Sequence, residues 1–159
     1  MQITIICAGK IKETYLKKGI EEYTKRLGGY CRLSVVEVAD ERTPDQGQTW
    51  EEERVRLREG ERILSRVQDH QHVIVLDMKG KSHTSETFSS HLEKLGLAGK
   101  SNVVFIIGGS LGLSTDVLNR GNEMISFSSF TFPHQLMRLI LLEQLYRAFR
   151  ISRNEPYHK

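Results

Sequence analysis

Val103-Val104-Phe105-Ile106-Ile107-Gly108-Gly109-Ser110-Leu111-Gly112 and, about twenty residues on, Met124-Ile125-Ser126-Phe127-Ser128-Ser129-Phe130-Thr131-Phe132-Pro133 carry the reading of the fold. The run from Val103 to Ile107 is apolar without alternation and rich in β-branched residues, the pattern of a strand buried on both faces. It breaks directly into glycines, which take positive φ or let a ligand approach the backbone closely. The second run fades into hydroxyl and phenyl side chains and is stopped by Pro133. Two such strand-to-turn transitions put adaptable backbone and small polar groups where parallel strands end. Open α/β sheets bind their ligands there.

Outward from these two stretches, strand and helix patterns alternate. Strands are expected at Ile3 to Cys7, Arg32 to Val38 and Val73 to Asp77. Helices are expected from Glu13 to Leu27, closed by Gly28-Gly29, and from Trp50 to Val67, with Trp50, Leu57 and Leu64 facing inward. Gly60 in the middle of that second helix costs about 1 kcal/mol against Ala and argues against an unbroken helix. Residues 40–48 are polar, contain Pro44 and Gly47, and read as a mobile loop. Thr84 or Ser85 caps a helix to Leu95, ended by Gly96 and Gly99. A short helix opens at Ser114 and closes near Gly121, and a last helix runs from Pro133 to about Ile151, proline suiting a first turn. This alternation gives one α/β domain over 1–159, with a largely parallel sheet and helices on both faces. No repeat or low-complexity tract interrupts it.

Composition narrows the function classes. Among 159 residues 38% are hydrophobic and 27% charged, ordinary for a globular domain. No apolar run approaches the roughly 20 residues of a membrane span, and the N-terminus lacks the pattern of a signal peptide. A cytosolic chain is expected. Cys7 and Cys31 lie in or beside apolar runs and read as buried free thiols. The six histidines show no ligand spacing, so no metal is expected. The net charge of +3 sits entirely in the last 22 residues, with Arg138, Arg147, Arg150, Arg153 and Lys159 against Glu143 and Glu155. A basic helix and tail on a neutral domain suit a polyanion, although a helix C-terminus attracts cations for its own reasons. Apolar residues from Leu136 to Phe149 cover nearly the whole circumference of the last helix. A helix of that kind is buried all round, so a homodimer is expected.

The chemical signals are few. Gly108-Gly109-Ser110-Leu111-Gly112 lacks the G-x-G-x-x-G spacing and follows the fourth strand, and no phosphate-cradling GxxxxGK[ST] occurs. Neither Ser110 nor Ser128 sits in a nucleophile elbow. The tail Ser152-Arg153-Asn154-Glu155-Pro156-Tyr157-His158-Lys159 carries a ring, an imidazole and cations on a segment too polar to pack for its own sake. Tyr157 suits stacking on a base, Arg150 and Arg153 suit phosphates, and His158 suits proton transfer. The alternative is a frayed terminus.

These stretches (FIIGGSLGL, ISFSSFTFPHQLMRLILLEQLYRAFRI, the terminal NEPYHK and the start ITIICAGKIKETYLKKGIEEY) resemble the bacterial large-subunit ribosomal RNA pseudouridine methyltransferase H family, of the SPOUT class of S-adenosylmethionine-dependent enzymes. The resemblance covers essentially the full length and departs nowhere at the motif positions. It implies a C-terminal trefoil knot, a rare exception to the rule against threaded chains. It also implies cofactor contacts, by position, at Leu76, Gly108, Phe127, Ser128, Ser129, Phe130, Thr131 and Phe132. A homodimer with the active site at its interface follows from the same resemblance. The implied substrate is a pseudouridine of 23S rRNA on the assembled ribosome, methylated at N3, with no membrane or DNA partner. On this reading His158 is the candidate base, Tyr157 positions the nucleobase, and Arg150, Arg153 and Lys159 hold the RNA backbone. Two other classes stay open: a Rossmann-type nucleotide-binding enzyme, and a non-catalytic ribosome-associated RNA-binding factor that uses only the tail.

Overall fold

The computed structural model describes all residues except 45–47 and 159. Lys159 and the centre of the expected 40–48 loop therefore lie outside the described residues. The chain alternates as β1 (Gln2–Ala8), α1 (Thr14–Leu27), β2 (Arg32–Val38), α2 (Thr49–Leu64), β3 (His72–Ser82), α3 (Ser85–Leu97), β4 (Asn102–Ile107), α4 (Thr115–Arg120), β5 (Glu123–Ser126) and α5 (His134–Ser152). All strand pairs are parallel, in the order β2-β1-β4-β3-β5.

The unalternating apolar runs become the middle of this sheet because both faces are covered. Ile3, Ile5, Cys7, Val103, Phe105 and Ile107 point to one side, into a core with Leu27, Phe88, Leu92, Leu141, Leu142 and Leu145 from α1, α3 and α5. Ile6, Ala8, Val104 and Ile106 point to the other, onto Ile63 of α2 and Val117 of α4. Each such buried Ile or Leu contributes roughly 1.5–3 kcal/mol, so the sheet's centre holds the domain.

Three expectations need correction. Trp50 and Leu57 do not face inward: they are 58% and 40% exposed. The buried stripe of α2 is Glu59, Gly60 and Ile63, because a neighbouring helix, not a heptad partner, sets the contact. Gly60 does not break α2 either. A Cβ there would collide with Ser114 Oγ and approach Val117 to 3.3 Å, so the missing side chain is what lets α4 pack close. Thirdly, β3 runs past Asp77 to Ser82. Leu76 and Lys81 both pair with Ile125, and the residues between bulge outward. Gly80 permits this, since its Cβ would stand 2.6 Å from the Ile125 backbone.

Helix ends follow the sequence more closely. Thr84 Oγ1 accepts the Thr87 N–H at 3.2 Å in a capping box, and Ser114 Oγ accepts the Val117 N–H at 3.4 Å. Gly96 lies inside α3, and Gly99, at φ +76°, makes the exit turn. Burial pushes the Cys7 thiol up to about 12, and the half-buried Cys31 up to about 11.

α5 lies between α1 and α3 and over β4. Its buried side chains are Arg138, Leu141, Leu142, Leu145 and Ala148, while Met137, Tyr146 and Phe149 pack at the margin of the same core. Leu139 lies against Gly19 of α1. Much of the apolar circumference is therefore covered within one subunit, and of the residues that suggested a dimer Leu136, Leu139 and Ile140 stay half-buried outside both core clusters. Arg138, 1% exposed, donates to the carbonyls of Ala8 and Gly9 at 2.7 Å each and pairs with Glu37 at 2.8 Å. It pins α5 to the ends of β1 and β2. Since β5 is the opposite edge of the sheet, residues 127–133 carry the chain across the ends of the strands between.

Candidate functional site

A parallel sheet puts the C-terminal ends of its strands along one rim. At that rim β3, β4 and β5 end around a cavity of about 800 Å³, within the range of ligand sites. Leu76 and the bulged Asp77, Met78 and Lys79 form one wall. Ile107 to Ser110, Gly112 and Leu113 form the second, and Ser126, Phe127, Ser128, Phe130, Thr131 and Phe132 the third. Pro133, His134 and Met137 close it from the start of α5.

Each wall is shaped locally. Gly108 has an ordinary φ, and its role is close approach: a Cβ would lie 2.9 Å from Leu113 Cγ and 3.0 Å from the Gly112 carbonyl carbon. Gly109 faces the buried Glu59 carboxylate, which a Cβ would approach to 2.7 Å. Burial raises the Glu59 carboxyl, although the Glu41 N–H donates to it at 2.9 Å. Gly112 takes the positive φ of this loop, +81°, and its amide closes the turn on the Gly109 carbonyl at 3.1 Å. In the third wall, Ser126 Oγ donates to the Ser128 carbonyl at 3.2 Å and Ser128 Oγ accepts the Phe130 N–H at 2.9 Å. The hydroxyls hold the loop's own backbone. Burial, reinforced by Arg138, lowers the His134 imidazole below its ordinary value, and Asp40 opposes this. His134 is thus neutral at pH 7.

Seven of the eight sequence-derived contact residues line this cavity: Leu76, Gly108, Phe127, Ser128, Phe130, Thr131 and Phe132. Ser129 does not. Sequence reasoning missed Met78, Lys79, Leu113, His134 and Met137. A bulge within β3 has no periodic signal, and His134 and Met137 were read only as helix. The donor set fits an adenosyl amino acid: apolar side chains for a planar ring, free-standing loop backbone for its edge and sugar, and Lys79 for a carboxylate.

The tail is elsewhere. Tyr157 packs edge-on against Tyr146 with centroids 4.9 Å apart, shares a hydrogen bond with Tyr23 at 3.1 Å and donates to Glu143 at 3.1 Å. Burial raises its hydroxyl well above the usual phenol value, with Tyr23 and Glu143 adding to the shift. Both His158 nitrogens are engaged: Nε2 with Glu86 at 2.7 Å and Nδ1 with Arg147 at 3.2 Å. Hydrogen bonds from Thr84 and the Glu86 amide, then His158, hold the Glu86 carboxyl down at about 2. Arg150 pairs with Glu155 at 2.8 Å and donates to Tyr30, while Arg153 lies over the Tyr30 ring at 4.5 Å. The expectation that this segment is too polar to pack is corrected: aromatic and ionic partners on α1, α3 and α5 hold it. The basic excess at the C-terminus is correspondingly less available, since Arg138, Arg147 and Arg150 all have carboxylate partners.

Comparison with known proteins adds independent findings. The family model described as "Predicted SPOUT methyltransferase" matches residues 1–158. The chain is 57% identical over its full length, and that of the relative, to an Exiguobacterium sibiricum protein named ribosomal RNA large subunit methyltransferase H. It is 54% identical, again with 100% of both chains covered, to a Clostridium perfringens protein named ribosomal RNA large subunit methyltransferase H 1. Among solved structures, a putative methylase family protein from Neisseria gonorrhoeae superimposes with a TM-score of 0.54 at 12% identity, covering 99% of this chain and 86% of that one. That last likeness is one of fold.

Proposed function

The chain belongs to the SPOUT methyltransferase family, and on that premise we propose that it methylates N3 of a pseudouridine in 23S ribosomal RNA on the assembled ribosome, using S-adenosylmethionine. The observation that carries this is the cavity at the ends of β3, β4 and β5, lined by Leu76, Gly108 and the 127–132 loop. The full-length relatives named as large-subunit rRNA methyltransferases support the substrate class.

When bound, S-adenosylmethionine supplies an electrophilic sulfonium methyl group. The rest is the work of this chain's residues. Leu76, Phe127 and Phe132 would enclose the adenine, Lys79 would pair with the methionine carboxylate, and the loop backbone of residues 108–113 would bond the sugar. Apolar walls exclude water, so the transfer becomes one of alignment between N3 and the methyl carbon. The passage of residues 127–137 across the strand ends, with Arg138 locked to β1 and β2, supports the family's trefoil knot. A single domain thus carries both the cofactor site and the RNA-facing surface, and a ribosomal substrate makes the chain cytoplasmic. Among the described residues, no helix is long and apolar enough to cross a membrane.

The active unit is a homodimer in which one copy's tail meets the other's cavity, because within one chain Tyr157 and His158 do not line it. Tyr157 then stacks on the nucleobase, His158 hydrogen-bonds it, and Arg150, Arg153 and Lys159 follow the RNA backbone. For His158 to act as a base, both of its present contacts must break. Leu136→Asp, at a half-buried position, should shift the chain towards monomer in sedimentation; an unchanged dimer would exclude that face.

The test of function is transfer of a labelled methyl group to ribosomes from cells lacking the enzyme, followed by nucleoside analysis of the 23S rRNA. Label should appear in one N3-methylpseudouridine. Label in another nucleoside, or no transfer from a chain that binds no S-adenosylmethionine in calorimetry, would overturn the reading.

A further inference from the structure

The cations of this chain fall into two populations. Many arginines are committed to internal partners: Arg58 and Arg62 to Glu41, Arg138 to Glu37, Arg147 to Glu143, Arg150 to Glu155, and Arg153 to the Tyr30 ring. The lysines are left to solvent. Between Gly9 and Gly19, Lys10, Lys12, Lys17 and Lys18 stand against a single acid, Glu13. That local excess of three charges is as large as the excess of the last 22 residues. All four lysines are exposed, and none enters an ion pair among the described residues. The available positive charge therefore lies in the corner between β1 and α1, not in the tail.

The fold brings this corner to the mouth of the rim cavity. β1 pairs with β4 in register as far as Cys7 opposite Ile107. Gly9 and Lys10 thus leave the sheet one strand, about 5 Å, from the wall formed by Gly108 and Gly109. The connection is then fixed in place. Ile11, 8% exposed, anchors it between the two lysines, and its N–H donates to Glu37 at 3.1 Å. The Lys12 N–H donates to Gln135 Oε1 at 3.3 Å, beside the His134 that closes the cavity. Nearby acids leave the corner positive, since Glu37 is held by Arg138 and only Glu13 and Asp40, which lies against Gly9, stand close by. Tyr15, 67% exposed, is one turn from Lys18 on α1 and offers a ring face among the ammonium groups. Cations interleaved with an exposed ring suit single-stranded nucleic acid.

Resting on the ribosomal RNA reading above, we propose that the β1–α1 corner is the docking surface for the RNA strand that flanks the acceptor nucleotide. The ammonium groups of Lys10, Lys12, Lys17 and Lys18 take its phosphates, and Tyr15 stacks on an unpaired base. Phosphate contacts supply affinity that does not depend on sequence, and they set the register of the bound strand. One strand's width from the cavity, that register decides which base reaches the methyl group. Arg147 and Arg150 can add to this surface only after releasing Glu143 and Glu155.

The experiment compares four forms of the full chain: wild type, the double variant Lys10→Gln, Lys12→Gln, the single variant Tyr15→Ala, and the double variant Lys94→Gln, Lys100→Gln. The last removes the same charge at the opposite end of the sheet, from the last turn of α3 and the approach to β4. Binding to ribosomes from cells lacking the enzyme is measured over a range of salt concentrations. In the corner double variant the slope of log K against log salt should be shallower by roughly 0.7–0.9 for each lysine removed. The slope should be unchanged in the other two variants. Tyr15→Ala should bind more weakly by roughly 5- to 150-fold at every salt concentration. Calorimetry with S-adenosylhomocysteine should give one affinity for all four proteins, and sedimentation one mass. A wild-type slope in the corner variant, or an equal change of slope in the Lys94, Lys100 variant, would overturn the surface. Conversion of the corner variant to monomer would overturn it too, by assigning these residues to a subunit contact. Wild-type affinity in Tyr15→Ala would remove the stacking. A wild-type chain that binds S-adenosylhomocysteine but no ribosomes would overturn the ribosomal reading itself, and this surface with it.

Discussion

The rim cavity and the C-terminal tail carry comparable chemistry, yet the fold treats them differently. The cavity's residues are spread over more than sixty positions, from Leu76 to Met137, and come together because parallel strands in register end on one line. The tail's residues are contiguous, yet each is drawn to its own partner: Tyr157 to Tyr146 and Tyr23, His158 to Glu86, Glu155 to Arg150. Backbone pairing gathers a site at a place the topology dictates. Side-chain pairing places a segment wherever complementary groups stand, and it can be undone one contact at a time.

The sharpest way to break the contrast is to damage the rim. Gly108→Val should abolish the thermal stabilisation that saturating S-adenosylmethionine gives the wild type, about 2.7 kcal/mol at a hundredfold excess over Kd. Because the new side chain meets Leu113 and Gly112, it should also cost roughly 1–3 kcal/mol without ligand. Gly112→Ala meets no protein atom and is strained only by its φ of +81°, so without ligand it should lower Tm by less than Gly108→Val. Equal ligand responses in Gly108→Val and wild type would remove the loop from the site.

Removing residues 157–159 should have a smaller effect on the subunit. The Tyr157 hydrogen bonds and its aromatic contact are each worth about 0.5–1.5 kcal/mol, so Tm should fall by a few degrees while cofactor affinity stays unchanged. Methyl transfer to ribosomes should be lost. Glu86, held down first by Thr84 and its own amide and then by His158, also gives a pH signature. Its carboxyl is depressed from 4.5 to about 2 in the folded chain. The stabilisation is therefore full above the unfolded value and lost as pH falls from about 5 towards 2. Glu86→Gln should remove that portion of the acid limb in thermal melts, while deletion of residues 157–159 should remove only the smaller part that His158 contributes; an unaltered limb in Glu86→Gln would mean that another carboxylate sets it.

How much of this was legible follows from the same contrast. The continuous apolar runs of β1 and β4, the glycine break after Ile107 and the hydroxyl-rich turn before Pro133 announce a parallel sheet with a ligand rim, because burial on two faces and backbone freedom leave direct marks in residue type. The β3 bulge that brings Met78 and Lys79 to the cavity left no such mark: it depends on Gly80 meeting Ile125, two residues with no local relation. Trp50 and Leu57 misled because a seven-residue spacing implies a helical partner that the fold does not provide. Gly60 misled in the other direction, since its cost to the helix is offset by contact with α4. The tail's packing was illegible because its partners are scattered over α1, α3 and α5.

The smallest effect concerns the thiols. With Cys7 pushed up to about 12 and Cys31 to about 11, neither is appreciably thiolate at pH 8. Alkylation of native protein should be slow at Cys31 and slower still at Cys7, and rapid labelling of Cys7 would mean that the sheet opens.

The most direct measurement is a crystal structure of the full chain with S-adenosylhomocysteine. The ligand should lie between Leu76, Gly108 and residues 127–132, its amino-acid end towards Lys79. A ligand bound against the Tyr157–His158 tail, or on any surface away from the ends of β3, β4 and β5, would contradict the account.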